Sequence, residues 1–130
     1  LYPHGGDWKE GGTVQMSHCL NVPLYGLISG KNHKGMLPKD ASLVSINCEN
    51  VVLDTIKKAE DSDALVIRMY ECYNRRSNVN VTFLKELAEV TECNLMETPL
   101  KHVPFYGNVF SFEIRPYEIK TFLLKPKNKA

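Results

Sequence analysis

The chain has 130 residues, enough for one domain that buries roughly two thirds of its unfolded surface. Apolar residues make up 43% and charged residues 24%, and the formal net charge of +1 gives no ground for a nucleic acid, a membrane surface or a strongly acidic partner. No apolar run approaches the ~18 residues that span a bilayer, and the start of the chain lacks the charged and apolar regions of a secretory signal. The first residue is Leu, so the expectation is a piece of something longer, with its chemistry in the missing part.

Leu1 to Gly12 reads as irregular, punctuated by Pro3, Gly5, Gly6, Gly11 and Gly12. Thr13 to Asn21 is a short segment containing apolar residues, and Gly26 to Asp40 reads as another loop. From Ser42 the pattern changes. Val44, Ile46 and Cys48 alternate with polar residues, the period of a half-buried strand, and Glu49-Asn50 turns the chain. Val51 to Lys58 has a β-branched start that favours strand, although Val52, Ile56 and Ala59 come close to helical spacing. Asp61-Ser62-Asp63 is a turn.

Ala64 to Tyr73 is apolar on both faces, with Leu65, Ile67 and Met69 on one and Val66, Tyr70 and Cys72 on the other. That pattern predicts a central strand covered on both sides, from which Arg68 reaches an edge or a partner. After a polar loop, Val79, Val81 and Phe83 alternate inward against Asn80 and Thr82. Leu84, Leu87, Ala88 and Thr91 have helical spacing, so either a short helix or a strand pair with a turn fits there. Pro99 to Asn108 reads as loop, Phe110 and Phe112 as strand, Pro116 as a bend, Glu118 to Lys125 as a final strand and Pro126 to Ala130 as a frayed tail. Short strands separated by turns, with at most one short helix, predict an all-β fold: an antiparallel β-sandwich.

Cys19, Cys48, Cys72 and Cys93 are widely spaced with no C-x-x-C, which predicts four buried thiols in a reducing, cytoplasmic compartment. Asn80-Val81-Thr82 matches the glycosylation sequon, read as an accidental match inside a strand.

Three blocks then stand out in order. The first is Tyr2-Pro3-His4-Gly5-Gly6-Asp7-Trp8 with Leu20-Asn21-Val22-Pro23-Leu24. The second runs from Asn50 to Asp61 and on through Leu65-Val66-Ile67-Arg68-Met69-Tyr70-Glu71. The third runs from Phe112 to Phe122, through Arg115-Pro116-Tyr117-Glu118. Together they resemble the C-terminal end of the α-mannosidases of glycoside hydrolase family 38, especially the cytosolic and bacterial branch. The loop Tyr73-Asn74-Arg75-Arg76-Ser77 departs from the Gly-rich turn that usually follows the second block.

The resemblance implies a parent enzyme with an upstream α/β catalytic domain, a helical bundle and several β-domains. Zinc, the carboxylate nucleophile and the acid/base would lie upstream, and the parent would hydrolyse terminal α-linked mannose with retention. Residues 1–38 would leave a preceding β-domain, and 39–130 would form the last sandwich. This piece would hold no cofactor, would pack against and stabilise the upstream domains, and would meet mannose-containing glycans only through the parent. A homo-oligomer interface is compatible with the same reading. An autonomous carbohydrate-binding module is the alternative, and an adhesion or scaffold sandwich a third reading.

Individual residues are weighed on the same terms. Retaining glycoside hydrolysis needs two carboxyl groups about 5 Å apart. The densest acidic group here, Asp54, Glu60, Asp61 and Asp63, reads as a solvated turn. His4 and Asp7 have the donor types zinc takes, but two ligands are not a site, and His18, His33 and His102 have no spacing that completes one. Tyr2 to Trp8 is therefore read as a loop in which Trp8 plugs an interdomain seam and Asp7 caps backbone N–H groups. In the full enzyme, His4, Asp7 and Trp8 could instead shape the rim of the cleft. Either Arg68 or Arg115 is expected to form a structural, bidentate pair with Glu118.

Overall fold

The computed structural model describes residues 1–28, 35 and 37–127. It divides into two compact units, Leu1–Ala41 and Ser42–Ala130. His33 and part of the loop read over 26–40 lie outside the described residues, as do the last three of the tail.

The first unit opens with a tied loop. The Asp7 carboxylate Oδ1 accepts the N–H groups of Lys9 (2.8 Å) and Glu10 (2.9 Å), and Glu10 Oε2 accepts the Asp7 N–H (3.1 Å). This reciprocal arrangement is the chemistry of a capping box. The turn ends at Gly12, whose φ of 62° lies in the left-handed region that glycine tolerates best. Helix α1, Thr13–Asn21, follows. The sequence marks Thr13 to Asn21 as a segment without fixing its state, since no apolar stripe runs along it; none of its residues is buried, and Cys19, expected as a buried thiol, is exposed. Among the described residues this unit holds no strand.

The second unit is built from nine strands: β1 (Val44–Ile46), β2 (Val51–Lys58), β3 (Leu65–Glu71), β4 (Ser77–Phe83), β5 (Leu87–Cys93), β6 (Pro99–His102), β7 (Phe105–Tyr106), β8 (Val109–Ile114) and β9 (Ile119–Pro126). They form one sheet in the order β1-β4-β8-β7 and a second in the order β2-β3-β9-β5-β6. Every pairing is antiparallel. The all-β antiparallel sandwich expected from the sequence is the fold observed.

Alternation explains the core. Val79, Val81 and Phe83 of β4 face Ile67 and Met69 of β3, Leu87 and Val90 of β5, and Phe122 and Leu124 of β9. Phe122 bridges the sheets, with its ring centroid 5.1 Å from Phe110 and 4.6 Å from Phe112 of β8. A smaller cluster of Ala59, Ala64 and Val66, with half-buried Leu123, covers the other face of β3. The outer face of β3 is covered only at Val66; Arg68 and Tyr70 on that face are half-buried, so the strand is not covered on both sides along its length as its two apolar faces predict.

One segment resolves between two readings and another differs from its reading. Around Leu84–Thr91, where a short helix and a strand pair with a turn both fit, the strand β5 forms, because Leu87 and Val90 enter the core and pair across to Pro126 and Leu124 of β9. Tertiary pairing outweighs the short helical pattern. The loop expected over Pro99–Asn108 contains β6 and β7. Both are edge strands, where proline's missing N–H costs no ladder bond. The β7–β8 hairpin turns through Gly107-Asn108, with Gly107 at φ 60°, the glycine-first preference of a two-residue hairpin.

Candidate functional site

Among the described residues the chain crosses from one sheet to the other five times, at β1–β2, β3–β4, β4–β5, β6–β7 and β8–β9. Three of these crossings, β1–β2, β3–β4 and β8–β9, meet at one buried carboxylate, Glu71, which is 2% exposed. Its Oε1 accepts the Asn50 side-chain amide (2.9 Å) and the backbone N–H groups of Tyr73 (2.8 Å) and Arg75 (3.2 Å). Its Oε2 accepts the N–H groups of Asn74 (3.0 Å) and Tyr117 (2.9 Å).

Asn50, fully buried, completes the knot. Its Oδ1 accepts from the Arg75 guanidinium (3.0 Å) and the Ser77 hydroxyl (3.2 Å), and its carbonyl accepts the Cys72 N–H (2.9 Å). Asn74 and Tyr117 both sit at positive φ, 59° and 55°. That conformation is costly for a side chain as bulky as Tyr, and it persists where the surroundings over-determine it. Here the carboxylate holds both N–H groups inward. Burial by itself pushes the Glu71 carboxyl up, but the N–H donors of Asn50, Tyr117, Tyr73 and Arg75 outweigh it and hold the group below its usual value.

Sequence analysis did not single out this site. A signal was present: continuing the alternation of Ile67 and Met69 puts Glu71 on the core face. A glutamate there demands partners, but those partners come from residues 50 and 117 as well as from its own loop.

The Arg115 guanidinium lies 3.1 Å from Glu118 Oε1, and the Arg115 N–H donates to Oε2 at 2.7 Å. The second contact is therefore backbone, not a guanidinium fork. Burial raises the Glu118 carboxyl, and Arg115 more than reverses this. Of the two arginines expected as alternatives, Arg115 makes the pair and Arg68 takes no part. It lies on the outer face of β3, where Nε donates to Thr121 Oγ1 (3.2 Å) and a terminal nitrogen donates to the Leu95 carbonyl (3.1 Å). A neighbouring pair joins Lys120 to Glu92 at 2.5 Å, with Lys101 on the other oxygen at 3.2 Å.

The structure places His4, Asp7 and Trp8 in the first unit. The Tyr2 and His4 rings lie 5.6 Å apart, and His4 Nε2 is 3.4 Å from the Thr13 hydroxyl. The His4 ring fills the place where a side chain on Gly11 would fall. The N–H groups of Glu10 and Lys9 hold the Asp7 carboxyl below its usual value. Trp8 is exposed, with the Lys9 ammonium 5.4 Å above its ring. Among the described residues no cluster of three His, Cys, Asp or Glu residues could hold a metal ion. No helix among them is long and apolar enough to cross a membrane.

These features define an antiparallel β-sandwich whose polar interior serves architecture, with three of its five sheet crossings tied to one carboxylate. The model of the glycosyl hydrolases family 38 C-terminal beta sandwich domain matches residues 50–122, more than half of the chain, and the chain belongs to that family. The matched segment begins at Asn50, takes in Glu71 and ends after the β8–β9 crossing. The chain is 30% identical to Alpha-mannosidase G of Dictyostelium discoideum over 125 residues, which cover 94% of it and 12% of that protein. It is 29% identical to Alpha-mannosidase 2C1 of Homo sapiens over 132 residues, covering 95% of it and 12% of the human protein. The chain thus spans about 12% of the length of the curated relatives it matches.

Proposed function

We propose that this chain is the non-catalytic C-terminal sandwich of a cytoplasmic, zinc-dependent, retaining α-mannosidase, and that it packs against and stabilises the domains before it. The longer enzyme hydrolyses terminal α-linked mannose, with zinc and the paired carboxylates supplied outside these residues.

The observation that carries this reading is how carboxylates shielded from solvent are engaged. Glu71 is satisfied by N–H groups of its own chain, Glu92 by Lys120 and Lys101, and Glu118 by Arg115. Each is held below its usual value, the wrong direction for a general acid at neutral pH. His4 and Asp7 do not fit zinc, because Asp7 already caps its own turn and no third ligand stands beside them among the described residues.

A carbohydrate-binding module would present coplanar exposed aromatic rings. Phe105 and Tyr106 are consecutive in β7, so their side chains leave opposite faces of the strand.

The test is hydrolysis of a chromogenic α-mannoside, with and without added zinc, by this chain and by a protein extended to the relatives' length. Turnover by the extended protein alone supports the reading. Turnover by the 130-residue chain itself would overturn it and return attention to His4, Asp7 and the acidic turn around Asp61.

A further inference from the structure

The tip of the β5–β6 hairpin, Asn94–Thr98, is tied from several directions. Asn94 Oδ1 accepts the N–H groups of Met96 (2.9 Å) and Thr98 (3.0 Å), and the Asn94 N–H donates to the Thr98 carbonyl (3.1 Å). Glu97, at φ 64°, donates its N–H to the Asn94 carbonyl at 3.0 Å. Its carboxylate meets the Lys57 ammonium (2.8 Å) and the Glu60 N–H (2.9 Å). From the outer face of β3, the Arg68 guanidinium holds the Leu95 carbonyl.

This anchored tip shows large apolar side chains to solvent. Leu95 is 57% exposed, Met96 83%, and Leu100, on the returning strand β6, 63%. Met96 and Leu100 border an open groove of about 630 Å³ that also takes in Ala64, Pro99 and Leu123. In a slack loop, exposed apolar residues would need no explanation. Here the backbone is fixed by bonds on both sides, so the exposure is built in. A fixed apolar surface loses little conformational freedom when it docks, and side chains of this kind anchor interfaces.

Most charges beside it are matched: Glu97 with Lys57, Lys101 with Glu92, and Lys125 with Glu89, while Asp61 at the groove's edge has no ion pair among the described residues. Apart from that one carboxylate, what the surface has left to offer is apolar area, which suits an apolar protein face better than a charged ligand or a sugar. A domain spanning 12% of its relatives' length is joined, in proteins of that kind, to far more polypeptide. Interfaces between domains of one chain run to about 600–1,500 Å².

We infer that Leu95, Met96 and Leu100 form the surface on which another domain of the same, longer polypeptide docks through an apolar face of its own. This rests on the reading of the chain as one domain of a longer mannosidase and adds the place of contact.

Met96 supplies its own probe, because its thioether oxidises at a rate set by access. Buried Met69, fully shielded, marks the floor within the same molecule. In dilute peroxide, followed by peptide mass spectrometry, Met96 should oxidise about tenfold more slowly in a protein of the relatives' length than in the 130-residue chain. The difference should not depend on protein concentration. Equal rates in the two proteins overturn the inference. So does slowing in the 130-residue chain as its concentration rises, which would make a second copy the occupant. Mannoside hydrolysis measured on the same long protein separates the two ideas: its absence sinks the enzymatic reading, while protection of Met96 stands or falls by itself.

Discussion

Glu71 and Asp7 do the same job in different surroundings. Each is a carboxylate that accepts backbone N–H groups of a turn. Asp7 takes two, from Lys9 and Glu10 of its own turn, and is exposed. Glu71 is buried, and its donors reach from Asn50 to Tyr117. Water can replace Asp7 at its turn with little loss. It cannot easily replace Glu71, because donors left unpaired in a buried place carry their full desolvation cost. A local cap shapes a turn, whereas a buried, long-range cap fixes the path of the chain between two sheets.

The largest expected effect breaks the buried side of that comparison. Glu71→Ala strands five N–H donors, and should lower unfolding free energy by about 3–5 kcal/mol in a urea titration. Glu71→Gln keeps the shape but turns an NH₂ toward an N–H, and should cost about 2–3 kcal/mol. A loss no larger than that of an average surface substitution would mean the donors find water and the knot is not structural. Asn50→Ala follows at about 1–3 kcal/mol, since it removes an amide engaged on both its oxygen and its nitrogen. Combined with Glu71→Gln it should cost less than the sum, because both substitutions break the same contact.

Acid sharpens the same contrast. The folded Glu71 carboxyl titrates below its unfolded value, so its contribution is fully present above the ordinary carboxylate range. That contribution is lost as pH falls through the lowered value. Glu92 and Glu118 act with the same sign. Stability should therefore fall on acidification below about pH 4.5. Glu71→Gln should flatten that fall, and an unchanged slope in the variant would assign the acid sensitivity elsewhere.

Much of the sandwich is legible in single residues. Val79, Val81 and Phe83 announce β4, and Ile67 and Met69 announce the core face of β3, while its second apolar face is covered only at Val66. The segments left open or misread are those whose state is decided from outside. Leu84, Leu87, Ala88 and Thr91 suit a helix locally, but Leu87 and Val90 are claimed by the core and by the β9 ladder. Pro99 and Pro104 suggest loop, and only the edge position of β6 and β7 lets strands form beside them. The α1 helix was missed for the opposite reason: it buries nothing, so no periodicity advertises it. Between Arg68 and Arg115 as partners for Glu118 the sequence does not decide; Arg68 lies on the outer face of β3 and is taken up by Thr121 and Leu95, which leaves Arg115. The inward place of Glu71 follows from alternation alone. Its meaning does not, because nothing within the strand says that a residue 46 positions away will supply an N–H.

The smallest expected effect lies at Asp7. Asparagine caps turns nearly as well as aspartate, so Asp7→Asn keeps an acceptor for Lys9 and Glu10 and gives up only the charge. The urea midpoint of the sandwich should not move measurably, and amide exchange should quicken at Lys9 and Glu10 alone. If Asp7→Asn lowered stability as much as Asn50→Ala, burial would not be what separates the two carboxylates. The same variant tests the cleft-rim reading of His4, Asp7 and Trp8. A changed KM for an α-mannoside in the longer enzyme, with the midpoint unmoved, would assign this loop to the rim, because loss of a solvated cap has no other route to substrate binding.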